Sequence, residues 1–174
     1  MQPKVDIDVN ETTGTWVSDG LPMLYVPRHF MVNVHDEVAD ALGRDAYQAV
    51  LERAGSKSAY FWCKKRDELE RMGGVKAFQH YLERLTARGW GQFEIEDLDI
   101  ASGLGRIRLR NSIYVLESRQ KAEHPVCYMF EGFFIGGFRY LLEEQGTPRQ
   151  SITCREIQCE AMGFDHCRFD LQAS

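Results

Sequence analysis

Several classes of function fall away first on what the chain lacks. No apolar run approaches the roughly 20 residues needed to cross a bilayer. The start, MQPKVDIDVNE, has neither the basic nor the apolar segment of a secretory signal, so the cytoplasm is the expected compartment. There is no GxxxxGK[ST] loop and no dinucleotide fingerprint; the one Gly-rich stretch, GLGRIR, lies between two expected strands and not before a helix, so it makes a poor phosphate cradle. Basic residues never gather into a long patch. Lys64 to Arg66 and Arg106 to Arg110 are short runs on a chain of net charge -5, which argues against a nucleic-acid backbone as partner. No repeat or low-complexity tract is visible, and no Ser-His or Cys-His pair stands out as catalytic.

What the chain does have is thiol. Five cysteines occur in 174 residues, and four of them, Cys127, Cys154, Cys159 and Cys167, fall in the last third. Without a secretory signal, such a cluster points to a metal rather than to a disulfide framework. Cys159 and Cys167 bracket EAMGFDH, whose Gly163 and Asp165 are turn formers, so the two thiols fit the facing ends of a hairpin. Glu156 offers a carboxylate three residues before Cys159. Three residues on an ideal strand means opposite faces, so the chain has to bulge or turn near Gln158 to bring them together. Cys127 opens an apolar run that reads as a helix and supplies a fourth donor. His166 is an alternative to Glu156, and buried cysteines also serve as plain core filling. Cys63 reads as a lone thiol. Zinc is the expected ion, since it takes four thiolate, imidazole or carboxylate ligands at tetrahedral corners.

With 44% hydrophobic and 27% charged residues, the chain suits one soluble body able to bury about 70% of its unfolded surface. Residues 1 to 10 are polar and expected to fray. TWV and MLYV flank the turn-prone SDGLP and suggest a small ribbon, packed on a partner subunit or on the main sheet. Helical periodicity follows over about Asp36 to Arg53, ending at Gly55, then over Lys57 to Arg71 and Val75 to Arg88. The period then changes. Phe93, Ile95 and Leu98 nearly alternate with acids, and Ile107, Leu109 and Asn111 alternate with arginines, giving two antiparallel strands, the second extendable over Ser112 to Leu116. Pro125 introduces the Cys127 helix, which runs to about Glu144, before strands 150 to 159 and 167 to 171. The expected class is α+β, a four-stranded antiparallel sheet packed against helices.

The segments VCYMFEGFFIGG and CREIQCEAMGFDHC resemble the 4-vinyl reductase domain. That domain occurs in bacteriochlorophyll vinyl-reductase-type proteins, in archaeal hydrocarbon-binding proteins, and as the sensor of phenol- and toluene-responsive bacterial transcription activators. The resemblance covers residues 111 to 171 well and 75 to 110 loosely. It implies the fold shared with haem-nitric-oxide-binding and vesicle-tethering domains, and a structural zinc on Cys127, Glu156, Cys159 and Cys167. It also implies a small organic ligand in an apolar pocket near Ile113, Phe130, Glu131, Phe134, Phe138 and Cys154. Ile113 departs from the large polar-edged aromatic of the phenol sensors, which counts against phenol itself. Glu131, if ringed by those aromatics, would suit an amine; if paired with Arg108 or Arg155, it would not.

Three function classes follow: a stand-alone sensor or carrier without DNA-binding or ATPase output, a reductase-type enzyme, and an accessory subunit working with an enzyme or regulator. Three thiolates and a carboxylate fill every corner of a tetrahedron and leave a weak Lewis acid, which favours the sensor or carrier over catalysis. A homodimer is expected, with the ribbon and first helix at its interface. Functionally the chain divides into a ribbon and helical cap, residues 1 to 74, and a 4-vinyl-reductase-like unit, residues 75 to 174.

Overall fold

The computed structural model describes residues 5–116 and 122–174. It opens with a three-stranded antiparallel ribbon of β1 (Asp8–Asn10), β2 (Thr15–Ser18) and β3 (Leu21–Met23). Helices α1 (Arg28–Leu42), α2 (Arg44–Glu70) and α3 (Gly74–Ala87) follow, then strands β4 (Gln92–Asp99) and β5 (Leu104–Arg110) and the short helix α4 (Ile113–Leu116). Helix α5 (Met129–Glu144), β6 (Ile152–Gln158), a 3-10 turn (Glu160–Met162) and β7 (Cys167–Ala173) complete the chain. The main sheet is wholly antiparallel in the order β4-β5-β7-β6, as the α+β reading anticipates.

One face of this sheet carries Ile107, Leu109, Cys154, Phe169 and Leu171, each at most 2% exposed. Strand alternation puts charges on the other face, where Arg106 meets Asp170 at 2.8 Å and Arg108 meets Glu94 at 2.5 Å. Strand β4 slips register between Ile95 and Asp97, which returns Leu98 to the inner side and explains why its alternation is only approximate in the sequence.

Helix α5 is apolar all round because it is covered all round. It packs on the sheet through Phe130, Phe134 and Phe138, each fully buried, and on α2 through a glycine face. A Cβ at Gly132 would lie 2.7 Å from the Glu52 carbonyl oxygen, and one at Gly136 would overlap the Ser56 carbonyl. Their spacing of four puts both on one side of the helix.

The same contact corrects the helix boundaries. Gly55 does not end a helix: α2 runs through it, because an added Cβ there would meet the Phe133 backbone nitrogen at 3.1 Å. The break falls instead at Gly43, whose φ of 80° suits a residue without a side chain. Helix α1 begins at Arg28, so the ambiguous Arg28–Val34 stretch is its first half. Nor does Ser112–Leu116 extend β5. Asn111 turns the chain at φ 54° and Ser112 Oγ accepts the Tyr114 N–H at 3.2 Å, opening α4. Asp8–Asn10, expected to fray, instead pairs with β2.

The ribbon docks on its own chain. Its turn residue Asp19 takes Arg84 at 2.7 Å and Arg88 at 2.5 Å, and Arg66 donates to the Asp19 carbonyl at 3.2 Å. The turn is thereby held at the C-terminal end of α3, not on the main sheet.

Candidate metal centre and its surroundings

Three elements converge on one buried point. The segment leading into α5 brings Cys127, the end of β6 brings Glu156 and then Cys159, and the start of β7 brings Cys167. Their donor atoms all lie within 4.8 Å of one another, and all four residues are buried. The bulge that joins Glu156 to Cys159 is present: the β6–β7 pairing slips between Glu156 and Gln158, so that carboxylate and thiol face the same way. The 3-10 turn, closed by Gly163 at φ 99°, then returns the chain to Cys167.

The spacing carries chemical information. Cys127 Sγ is 3.8 Å from Cys167 Sγ, which is 3.8 Å from Cys159 Sγ. That is far too long for a disulfide, whose sulfurs sit about 2.05 Å apart. It equals the edge of a tetrahedron whose centre is about 2.3 Å from each sulfur, the zinc–thiolate distance. Glu156 contributes a second observation. Its Oε2 accepts the Cys127 N–H at 2.8 Å, whereas Oε1 is buried without a hydrogen-bond partner. A buried carboxylate oxygen left bare is costly unless something positive meets it. The residues therefore fit a metal ion.

Electrostatics says the same. Burial drives the Cys127 thiol well above its ordinary pKa, and burial beside Cys159 pushes the Glu156 carboxyl up. Hydrogen bonds from Cys127 and Cys167 pull Cys159 strongly down. Four potential anions in one apolar space hold most of their protons until a cation replaces them.

The neighbours orient the donors. Ser112 Oγ, fully buried, lies 3.1 Å from Cys127 Sγ, and the Glu160 N–H donates to Cys167 Sγ at 3.3 Å. Glu131 stands behind Glu156: its Oε1 accepts the Glu156 N–H at 2.8 Å, and its Oε2 takes Gln48 at 2.7 Å and Arg155 at 3.2 Å. Sequence reasoning found the four donors but missed Ser112, Glu160 and Gln48. Nothing in the local pattern marks Ser112, and Gln48 reaches the site from a helix more than 80 residues away in sequence.

Of the residues expected around a ligand, Ile113 on α4, Phe130, Phe134 and Phe138 on α5 and Cys154 on β6 meet in one core, each at most 3% exposed. The Phe130 ring centre is 5.2 Å from Phe93, and Phe134 packs edge-on against Phe169 at 4.9 Å. Glu131 is set apart from them, between α2 and β6. With both its oxygens engaged and Arg155 as its ion partner, it offers no vacant charge to an amine. His166 lies outside the quartet, beside Asp165 at 2.7 Å. Cys63 is buried, its thiol 3.9 Å from the Ala77 carbonyl.

Comparison with known proteins places this architecture. The chain is similar over 96% of its length to the phenol-responsive sensory domain of the transcription activator PoxR, solved with phenol. The TM-score is 0.77 with 19% identity, and the match covers 84% of that chain. It is also similar to a trafficking protein particle complex subunit 3 from Naegleria fowleri covalently bound to palmitic acid. There the TM-score is 0.53 with 11% identity, covering 84% of this chain and 95% of the other. No curated protein sequence matches. The 4-vinyl reductase domain model matches residues 107–173, and the family described as Domain of unknown function (DUF5943) matches residues 1–96, more than half of the chain. The chain thus belongs to the DUF5943 family, with a 4-vinyl reductase domain over residues 107–173.

Proposed function

We propose that the protein is a zinc-stapled small-molecule-binding domain, a sensor or carrier in the cytoplasm of a bacterium. The observation that carries the reading is the closed Cys127, Glu156, Cys159 and Cys167 quartet, set in a fold shared with a phenol-responsive sensory domain. Zinc, when bound, supplies a cross-link and charge neutralisation, with no open corner for substrate. Cys127 fixes the entry to α5, Glu156 and Cys159 fix the end of β6, and Cys167 fixes the start of β7. The staple thereby ties the helix over the sheet at the core where Ile113, Phe130, Phe134, Phe138 and Cys154 meet, and this core is the proposed seat of an apolar ligand. The cap of residues 1 to 74 and the unit of residues 75 to 174 remain the proposed division of labour, with an enzyme or regulator as the output partner. Among the described residues no helix is long and apolar enough to cross a membrane.

We also assign a symmetric dimer to the ribbon and α1, on the exposure of Leu24 at 87%, Tyr25 at 83% and Phe30 at 54%. Light scattering should give twice the chain mass of 20.1 kDa; the single-chain mass at micromolar concentration would refute the dimer. The ligand reading is tested by thermal shift with neutral aromatics. Stabilisation by cresols or toluene that disappears in Phe134→Ala supports it, and no response from metal-loaded protein rejects it.

A further inference from the structure

A second cleft, of about 880 Å³, opens between α1 and residues 122–128. Its size falls within the range of small-molecule sites. His35 lines it at 5% exposure, and its Nδ1 is buried without a hydrogen-bond partner. That nitrogen is a standing cost of order 1–3 kcal/mol unless a visiting group meets it. The imidazole is also the centre of an aromatic cluster. Its ring centre is 4.3 Å from Tyr114, 4.8 Å from Tyr128 and 5.3 Å from Tyr47.

The charges around the cleft select among ligands. Asp36, Asp40 and Glu123 line it, and none has an ion-pair partner among the described residues. Burial and the mutual repulsion of Asp36 with Asp40 and Glu37 raise the Asp36 pKa, so the group gains from a cation. The lining cation Arg44 is already engaged, donating to the Pro125 carbonyl at 2.9 Å and lying 5.0 Å over the Tyr128 ring. Burial, reinforced by Arg44, holds His35 down at a pKa of about 4, so at neutral pH its ring is uncharged and has one acceptor nitrogen. An anion meets three carboxylates here. An N–H donor meets an acceptor, aromatic faces and negative charge.

We propose that this cleft is a binding site for a small aromatic amine, with its ring against the Tyr114 and Tyr128 cluster and its nitrogen directed to His35 and the Asp36, Asp40 and Glu123 rim. The inference goes beyond the core ligand site and does not depend on it. The two share one wall, since Tyr114 also lies 5.8 Å from Phe130.

The test is calorimetric titration of the metal-loaded protein with a matched pair of probes, tyramine and 4-hydroxyphenylacetate, which differ in the charge at the end of one short chain. Tyramine should bind, with the carboxylate at least ~10-fold weaker, and His35→Phe, which keeps the stacking but removes the nitrogens, should weaken tyramine ~10-fold or more. Should His35→Phe fail to fold, Asp40→Asn on the helix surface takes its place, with the same loss expected at an unchanged melting temperature. Nitrogen-detected NMR should show the His35 ring signals move with tyramine. Equal binding of the two probes, no binding of tyramine, or affinity unchanged in the folded variant would overturn the assignment. So would tyramine-induced shifts confined to Phe130 and Phe134, which would put the ligand in the core.

Discussion

Gly136 and Ser56 pack backbone to backbone: a single methyl on Gly136 would run into the Ser56 carbonyl oxygen. Because the obstacle is backbone, neither helix can move aside without disturbing α5 over the sheet. Gly136→Ala should therefore destabilise by about 2–3 kcal/mol, despite the better helix propensity of Ala, and lower the melting temperature by roughly 5–10 °C. Gly146→Ala is a different case, since it has open space but a φ of 70°, so its smaller cost would come from the backbone alone. Differential scanning fluorimetry of both variants separates crowding from strain.

This contact also explains what could be read beforehand. The metal quartet was legible because its donors are close in sequence and bracketed by turn formers, and the needed bulge between Glu156 and Gln158 follows from strand alternation. The strands and α5 were legible from their periods. The continuity of α2 through Gly55 was not, since a glycine that ends a helix and a glycine that admits another helix look alike until the partner is in place. Ser112–Leu116 failed for a related reason: Ile113 and Val115 suit a strand, and only the left-handed Asn111 and the Ser112 hydroxyl turn them into α4. His35 read only as part of a helix start, because the three tyrosines around it come from α2, α4 and the segment before α5.

The ribbon clamp is a second stability test. Asp19 faces two guanidinium groups with its side chain 12% exposed, so these pairs are screened less than surface ones. Asp19→Asn keeps a residue that tolerates φ 56° but removes the charge; it should cost about 1–2 kcal/mol and speed proteolytic cleavage within residues 5–25. An unchanged cleavage rate would show that the ribbon is held by other contacts.

His35 sets a pH dependence. Its folded pKa of about 4 lies below the ordinary 6.5, so the unfolded chain binds the proton more readily. Stability from this group is complete above pH ~6.5 and is lost as pH falls from there towards ~4, by at most ~3 kcal/mol. Urea melts should show this slope in the native protein and a shallower one in His35→Phe. Equal slopes would remove His35 as the source.

The thiols should separate by role. Cys159→Ala should lose the metal and at least ~10 °C of melting temperature, because structural metal binding is folding free energy. Cys154→Ala, in the same core but outside the quartet, should keep full metal content and lose only the small packing term of a buried sulfur. Melting and metal content of the two variants, measured side by side, check this.

Native mass spectrometry of the purified protein weighs chain and metal together and so bears on the quartet most directly. One zinc ion per 20.1 kDa chain is expected, retained under gentle ionisation and released on acidification together with unfolding. Folded protein at the bare chain mass, with all five thiols free to react only after denaturation, would contradict a zinc-stapled fold.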